Sequence, residues 1–206
     1  MWNDDQIIRG CRKCKKRAQQ MLYEKYAPIL RGICMRYACD SAETSDLLQE
    51  GFIKIFSKID QFKGAGSFEG WMKRIVVNNA ISHYKKNKKH YHHAEFDSVP
   101  ESNVIGDHEN EPMDNDVDIN DVSEKTIDYS IIEKADLSQE EMLEVLKEVP
   151  EHFRIVFNLH VVEGMPHKDI SSELGIDTST SRTRLLRAKK IVKKLVYTKC
   201  IEKVTK

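Results

Sequence analysis

The amino-acid sequence predicts an all-α protein made of two small helical domains joined by an acidic, flexible linker. Three observations predict it: apolar residues recur near a period of 3.6 in both halves, no strand alternation persists, and charge is segregated along the chain. The formal net charge is zero, from 33 Lys+Arg and 33 Asp+Glu. Yet residues 1–93 hold 18 basic and 9 acidic side chains, residues 94–141 hold 2 and 16, and residues 142–206 hold 13 and 8. Two basic modules on an acidic connector is the organisation such an asymmetry suggests. The domains are placed at 1–93 and 138–206, with the linker at 94–137. That middle stretch (GDHENEPMDNDVDINDVSEK) is rich in Asp, Asn and Glu and poor in aromatics. It cannot bury enough apolar area to offset the entropy of ordering.

In the first domain, Met21, Leu22, Tyr26, Ile29, Leu30, Ile33 and Tyr37 mark a helix over 20–37. Ser41 opens a second, with a stripe of Leu48, Phe52, Ile55 and Ile59. Gly64 and Gly66 break the pattern, and Ser67 caps a third helix that carries Ile75, Val76, Ala80, Ile81 and Tyr84 into a Lys-rich end. In the second domain Ser138 caps a helix to Val149, and Pro150 suits the first turn of the next, which runs to Val162. Pro166 to Leu174 is then a short helix, Gly175-Ile176-Asp177 a tight turn, and Thr178 to Lys194 a long helix. Two helices joined by a short Gly-containing turn form the helix-turn-helix plan.

The longest apolar runs, such as Ile75-Val76-Val77, fall far short of the roughly 18 residues that span a bilayer. Residues 1–14 carry acids and no continuous apolar stretch, so no signal peptide is read there. A cytoplasmic protein with reduced thiols and no membrane insertion is the expectation. Five cysteines without framework spacing agree with it. Cys11 and Cys14 form a lone C-x-x-C, lacking the second ligand pair that a zinc site requires, and read better as small residues on an N-terminal helix. His90, His92 and His93 read as a solvated basic tail. No metal, cofactor or catalytic residue is assigned: the phosphate-binding loop, the H-E-x-x-H pair and the nucleophile elbow are all absent.

Three patterns carry binding chemistry. On the last helix, Ser181, Leu185, Ala188, Val192 and Leu195 face a core, while Arg182, Thr183, Leu186, Arg187, Lys190 and Lys194 lie opposite. That arrangement suits a recognition helix, with Arg for base edges or phosphates at its start and a row of cations behind. The alternative is a solvated amphipathic helix in a bundle. In the first domain Phe62, Phe68 and Trp71 are interleaved with Lys63, Lys73 and Arg74, then followed by Asn78, Asn79, Ser82, Lys85 and Lys86. Aromatics among cations can stack on unpaired bases, although aromatics at a helix start are also ordinary core. Asn78 and Asn79 in mid-helix have no support from helix propensity. Finally Asp46, Gln49 and Glu50 share one helical face opposite Leu48, Phe52 and Ile55. An acidic face repels DNA and suits a basic protein surface, or it is simply solvated.

DLLQEGFIKIF, then FKGAGSFEGWMKRIVVNNAISHYKK, then HKDISSELGIDTSTSRTRLLRAKKIVKKL, in that order, resemble a bacterial RNA polymerase sigma factor. The two-lobe layout and length resemble the extracytoplasmic-function (ECF) group of the sigma-70 family, which keeps the second and fourth conserved regions. The resemblance covers about residues 5–90 and 138–198. It implies a factor that directs promoter-specific initiation by binding core polymerase and by recognising and opening promoter DNA. It implies that Asp46, Gln49, Glu50, Phe52 and Phe56 dock on core polymerase. By the same resemblance Lys63, Phe68, Trp71, Arg74, Asn78, Asn79, Ser82 and Lys85 meet the minus-ten element, as duplex and as melted non-template strand. Thr180, Arg182, Thr183, Leu186, Arg187 and Lys190 then read the minus-thirty-five element. An anti-sigma factor is a further partner of the kind the family is often held by. Two departures stand out. Many relatives have an aliphatic residue where Ser181 stands, so looser packing is expected at the recognition helix start. The linker is also longer and more acidic than expected of a minimal member, and it could mimic nucleic acid inside a basic channel. A stand-alone helix-turn-helix regulator would explain the C-terminal domain but not the DLLQE face.

Overall fold

A computed structural model describes residues 2–96 and 135–205, with side chains described outside 88–96. Residues 97–134, which hold most of the expected linker, lie outside the described residues, and so does the question of their order. Among the described residues all regular structure is helical. The order is α1 (Asp4–Arg12), α2 (Lys16–Tyr37), α3 (Ser41–Lys58), a 3-10 turn (Ile59–Gln61), α4 (Phe68–Phe96), α5 (Gln139–Glu148), α6 (Glu151–Phe157), a π turn (Asn158–Val162), α7 (His167–Leu174) and α8 (Thr178–Val204). The all-α expectation is borne out.

Local chemistry sets the helix ends. Asn3 and Gln6 form a reciprocal capping box at α1, with Gln6 N donating to Asn3 Oδ1 at 2.9 Å and Asn3 N to Gln6 Oε1 at 3.1 Å. α3 starts on Asp40, whose carboxylate accepts from Glu43 N at 2.8 Å, so the cap lies one residue before the expected Ser41. Ser67 Oγ accepts from Gly70 N at 3.3 Å and starts α4. Ser138 and Glu141 make a second capping box at α5. Gly175 ends α7 at φ +65°, a left-handed conformation that favours glycine. α8 continues ten residues past the expected Lys194, to Val204, because its far end is held. Cys200 is buried, and Lys199 and Lys203 pair with Glu144 and Glu141 of α5 at 2.9 and 2.7 Å. Of the C-x-x-C pair, Cys11 is a buried residue of α1 while Cys14 lies in the following turn at φ 51°.

α1–α4 pack as one bundle around Leu22, Leu30, Leu47, Ile55, Met72 and Ile81, each 2% exposed or less. Close helix approach requires small residues there. A Cβ on Gly10 would lie 2.4 Å from the Ala18 Cβ, and one on Gly51 would lie 3.1 Å from Val76 Cγ2. α5–α8 form the second bundle, with Val145, Val156, Leu159, Ile170 and Ala188 inside. The two bundles also touch. α2 meets α5 and α6, α4 meets α7, and one continuous apolar cluster includes Leu47, Tyr84, Ile155 and Leu159.

Candidate polymerase and nucleic-acid surfaces

The acidic face lies on α3. Asp46, Gln49 and Glu50 are exposed there, because the opposite side of the helix buries Leu47, Leu48, Phe52 and Ile55. Ile53 sits in the middle of the exposed face and is 66% exposed. Phe52 corrects the expectation for this surface. It is 4% exposed, with its ring 4.7 Å from Tyr23 and 6.0 Å from Phe56, so it supports the helix from within. Half-buried Phe56 and half-exposed Tyr23 border the face instead. Tyr23 and Ile53 belong to this surface although the sequence reading passed over both. Ile53 breaks the apolar stripe and was visible for that reason; Tyr23 comes from another helix and carried no local signal.

The second surface is one stripe of α4. Trp71, Arg74, Asn78, Ser82 and Lys85 recur at i, i+3, i+7, i+11 and i+14, which stacks them on a single side. Arg74, Asn78 and Ser82 are exposed, and Lys63 stands exposed in the preceding loop. Trp71 is half-buried against Phe62 at 5.5 Å and Phe68 at 5.7 Å. Phe68 itself is 6% exposed, packed edge-on to Tyr26 at 5.8 Å, so it holds Trp71 in place and is not available to a base. Asn79 requires a second correction. One residue on from the stripe, it turns inward, is 2% exposed, donates from Nδ2 to the Leu47 carbonyl at 3.2 Å, and accepts from Lys54 Nζ. Its amide ties α4 to α3. The 100° step between adjacent helical residues separates the two asparagines.

The third surface is the α7–turn–α8 unit. Arg182, Thr183, Leu186, Arg187 and Lys190 are exposed along α8, Leu186 by 58%, and Thr180 is half-buried at its start. Ser181 is fully buried, yet it is not the packing defect expected of it. Its Oγ lies 2.9 Å from His167 Nδ1 on α7, a hydrogen bond across the helix-turn-helix that an aliphatic residue cannot make. Ser171 Oγ lies 3.2 Å from Thr178 Oγ1 and adds a second such link. His167 stacks on His160 at 4.3 Å, and His160 Nδ1 is 2.9 Å from the Met165 carbonyl. Burial holds the His167 pKa below the ordinary histidine value, and His160, Arg182 and Lys189 push it the same way. The neutral form of the imidazole is therefore favoured at this joint.

A cleft between the bundles is lined by the polar side chains Glu43, His83, Glu151, Arg154 and Asn158 and also by Leu47, Ala80, Tyr84 and Ile155, with His83 Nδ1 3.1 Å from a Glu43 carboxylate oxygen. Burial pushes the Glu151 carboxyl pKa up, against the opposing pull of Arg154. Lys85, from the end of the α4 stripe, is 3.5 Å from Glu173 of α7.

Comparison with known proteins gives this arrangement a family. Residues 22–90 match the family model for sigma-70 region 2, and residues 139–192 match that for sigma-70 region 4; together they cover more than half of the chain. The RNA polymerase sigma-H factor of Pseudomonas aeruginosa is 26% identical over 194 residues, covering 93% of this chain and 92% of that protein. The ECF RNA polymerase sigma-E factor of Haemophilus influenzae is 25% identical over 192 residues, covering 92% and 93%. A solved sigma factor from Bartonella quintana, in complex with an anti-sigma factor, is 17% identical with a TM-score of 0.45, covering 86% of this chain and 95% of that one. The two regions, in this order and at these positions, make the chain a member of the sigma-70 family in its ECF group, and so a factor for promoter-specific initiation by RNA polymerase.

Proposed function

We propose that three exposed surfaces divide this work between them. The α3 face, with Asp46, Gln49, Glu50 and Ile53 at its centre and Phe56 and Tyr23 at its border, docks on a basic surface of core polymerase. The α4 stripe of Trp71, Arg74, Asn78, Ser82 and Lys85, with Lys63 beside it, engages the minus-ten element. Here cations hold phosphates, and Trp71, braced by Phe62 and Phe68, offers a ring to an unpaired base. The α8 face of Arg182, Thr183, Leu186, Arg187 and Lys190, with Thr180 at its start, enters the major groove of the minus-thirty-five element. Residues 1–93 and 138–206 are the two functional domains. Each module binds modestly, and their connection in one chain raises the effective concentration of the second once the first is held. All three roles are binding roles, and none calls for a catalytic group. Among the described residues no helix is long and apolar enough to cross a membrane, consistent with work at the chromosome.

The observation that carries this reading is that the same α3 face is both acidic and apolar at its centre while the exposed stripes of α4 and α8 are basic. An acidic face excludes DNA there and leaves a protein partner. The test is binding of the purified chain to core polymerase, followed by transcription from promoters with and without an upstream element. Asp46→Ala or Gln49→Ala should weaken core binding. Arg182→Ala should leave core binding intact and lower discrimination of the upstream element by about 1–3 kcal/mol, the range for a bidentate base contact. Sequence-specific duplex binding by the chain alone, with no affinity for core polymerase, would overturn the reading.

A further inference from the structure

We infer that the turn between α1 and α2 is a further DNA contact, a sequence-independent grip on backbone phosphates beside the minus-ten element. This rests on the functional reading above and adds a surface that the other three leave out.

Arg9, Arg12, Lys13, Lys15, Lys16 and Arg17 fall within nine residues, and no Asp or Glu occurs from residue 6 to residue 23. All six cations are exposed. Two of them have partners within the chain: Arg12 lies 3.9 Å from Asp60, and Arg17 stands over the Trp2 ring at 5.9 Å. Among the described residues no ion pair reaches Lys13, Lys15 or Lys16.

The fold gains little from this charge. Lys16 and Arg17 occupy the first turn of α2, where the helix dipole favours acids, and Lys15 precedes that turn without a side-chain capping bond. Like charges so close together also repel one another. Charge that costs the folded chain something and finds no acid inside it fits a polyanion outside it.

The backbone that carries these side chains is fixed. Cys14 N donates to the Cys11 carbonyl at 2.9 Å and Lys15 N to the Gly10 carbonyl at 3.0 Å, with Cys14 at φ 51°. A turn already ordered loses less entropy when it binds.

Position decides what the charge meets. Arg12 Nη2 donates to the Phe62 carbonyl at 2.5 Å, which holds the turn against the loop that carries Lys63. The Phe62 ring is in turn 5.0 Å from Phe68 and 5.5 Å from Trp71. The cations of the turn therefore extend the basic surface of Lys63 and the α4 stripe past the same aromatic cluster. Duplex DNA carries one negative charge per about 1.7 Å of axis, so DNA on that surface presents several phosphates to the turn. Lysine is a flexible point charge without the fork that reads a base edge, and contacts of this kind add affinity without sequence preference. Residues 94–141, with 16 acidic side chains, are the competing polyanion within the chain. Continuity with Lys63 favours DNA.

The test compares the full-length wild type with the triple variant Lys13→Gln, Lys15→Gln, Lys16→Gln on core polymerase. Arg12 is left in place, so its bond to Phe62 remains. Core affinity and the urea midpoint should match the wild type. Promoter affinity should fall by the same factor on promoters that differ in either element. The slope of log affinity against log salt should shrink by about 1 to 3, at roughly 0.9 per lost phosphate contact. The variant Lys13→Arg, Lys15→Arg, Lys16→Arg keeps the charge and should keep the wild-type values. Location is read separately. A photo-cross-linker placed on the exposed cysteines should join the protein to promoter DNA next to the minus-ten element, and Cys14→Ser should abolish that product while exposed Cys39 stays labelled. Unchanged promoter affinity and salt slope in the neutral variant, as when the turn serves only the chain's own acidic stretch, would overturn the inference and leave the functional reading standing. So would a loss confined to one promoter sequence, a loss of core affinity in place of DNA affinity, or a cross-link indifferent to Cys14. A wild-type chain without affinity for core polymerase would remove the functional reading, and the inference with it.

Discussion

Adjacent asparagines in the middle of α4 show how one residue step changes a role. Asn78 is exposed on the stripe with Arg74 and Ser82, and Asn79 is buried with its amide spent on Leu47 and Lys54. Helix propensity explains neither, so the sequence correctly marked both as unusual but could not tell them apart. Their variants should separate cleanly. Asn79→Ala removes buried hydrogen bonds between α3 and α4 and should cost about 1–3 kcal/mol in a urea denaturation. Asn78→Ala should stay within about 0.5 kcal/mol of wild type in the same experiment. In a permanganate assay of promoter opening on polymerase the order reverses, with the Asn78 variant opening less DNA at equal folded protein. Phe52 and Phe68 follow the same logic as Asn79. Each occupies a position of the expected interface, and each is buried as the support of a neighbour, Tyr23 or Trp71, that reaches the surface.

The joint between α7 and α8 fixes how the exposed face of α8 is presented. Its turn was legible in the sequence, since Gly175 at φ +65° is what a tight helix-turn-helix demands. Its polar pin was not. Ser181 and His167 are 14 residues apart and each looked like a surface residue, yet they meet at 2.9 Å behind the turn. The pin has a pH signature. With its folded-state pKa below the unfolded value of about 6.5, His167 binds its proton more readily in the unfolded chain. Its contribution is therefore fully present above pH 6.5 and is lost as the pH falls from there toward the depressed folded value. Charging the imidazole would also set it against His160, Arg182 and Lys189. His167→Asn retains a donor toward Ser181 and has no titration in this range. The acid-side fall in the urea midpoint should be shallower in this variant than in wild type between pH 6.5 and 5. Equal slopes would show that the pin carries no pH dependence.

At the scale of the whole molecule, the three surfaces proposed to act on one complex stand at separate places on two bundles. Asp46 stands on α3 of one bundle and Arg182 on α8 of the other. Their contributions to one promoter complex should therefore be independent. Asp46→Ala and Arg182→Ala should then add within about 0.5 kcal/mol in the stability of the promoter complex, measured by competition at fixed salt. A larger coupling would mean that the bundles remain in contact in that complex. Salt must be held constant because the phosphate contacts proposed for both basic stripes would weaken together as it rises.

Apolar periodicity, cap residues and Gly175 lie within a few residues of what they control, so the sequence by itself determined the helices, the helix-turn-helix and the basic stripes. Three motifs in a fixed order likewise sufficed to bring the sigma-70 family into view. Only the tertiary structure decided which members of each motif face outward, because a helix surface becomes an interior wherever another helix covers it. It alone paired Ser181 with His167, turned Asn79 toward Leu47, and set Arg154 and Asn158 against the end of α2. Contacts between residues more than a hundred positions apart leave no period and no spacing in a chain. A buried Arg within the run His152-Phe153-Arg154-Ile155 reads as a solvated charge until the helix that receives it is in place.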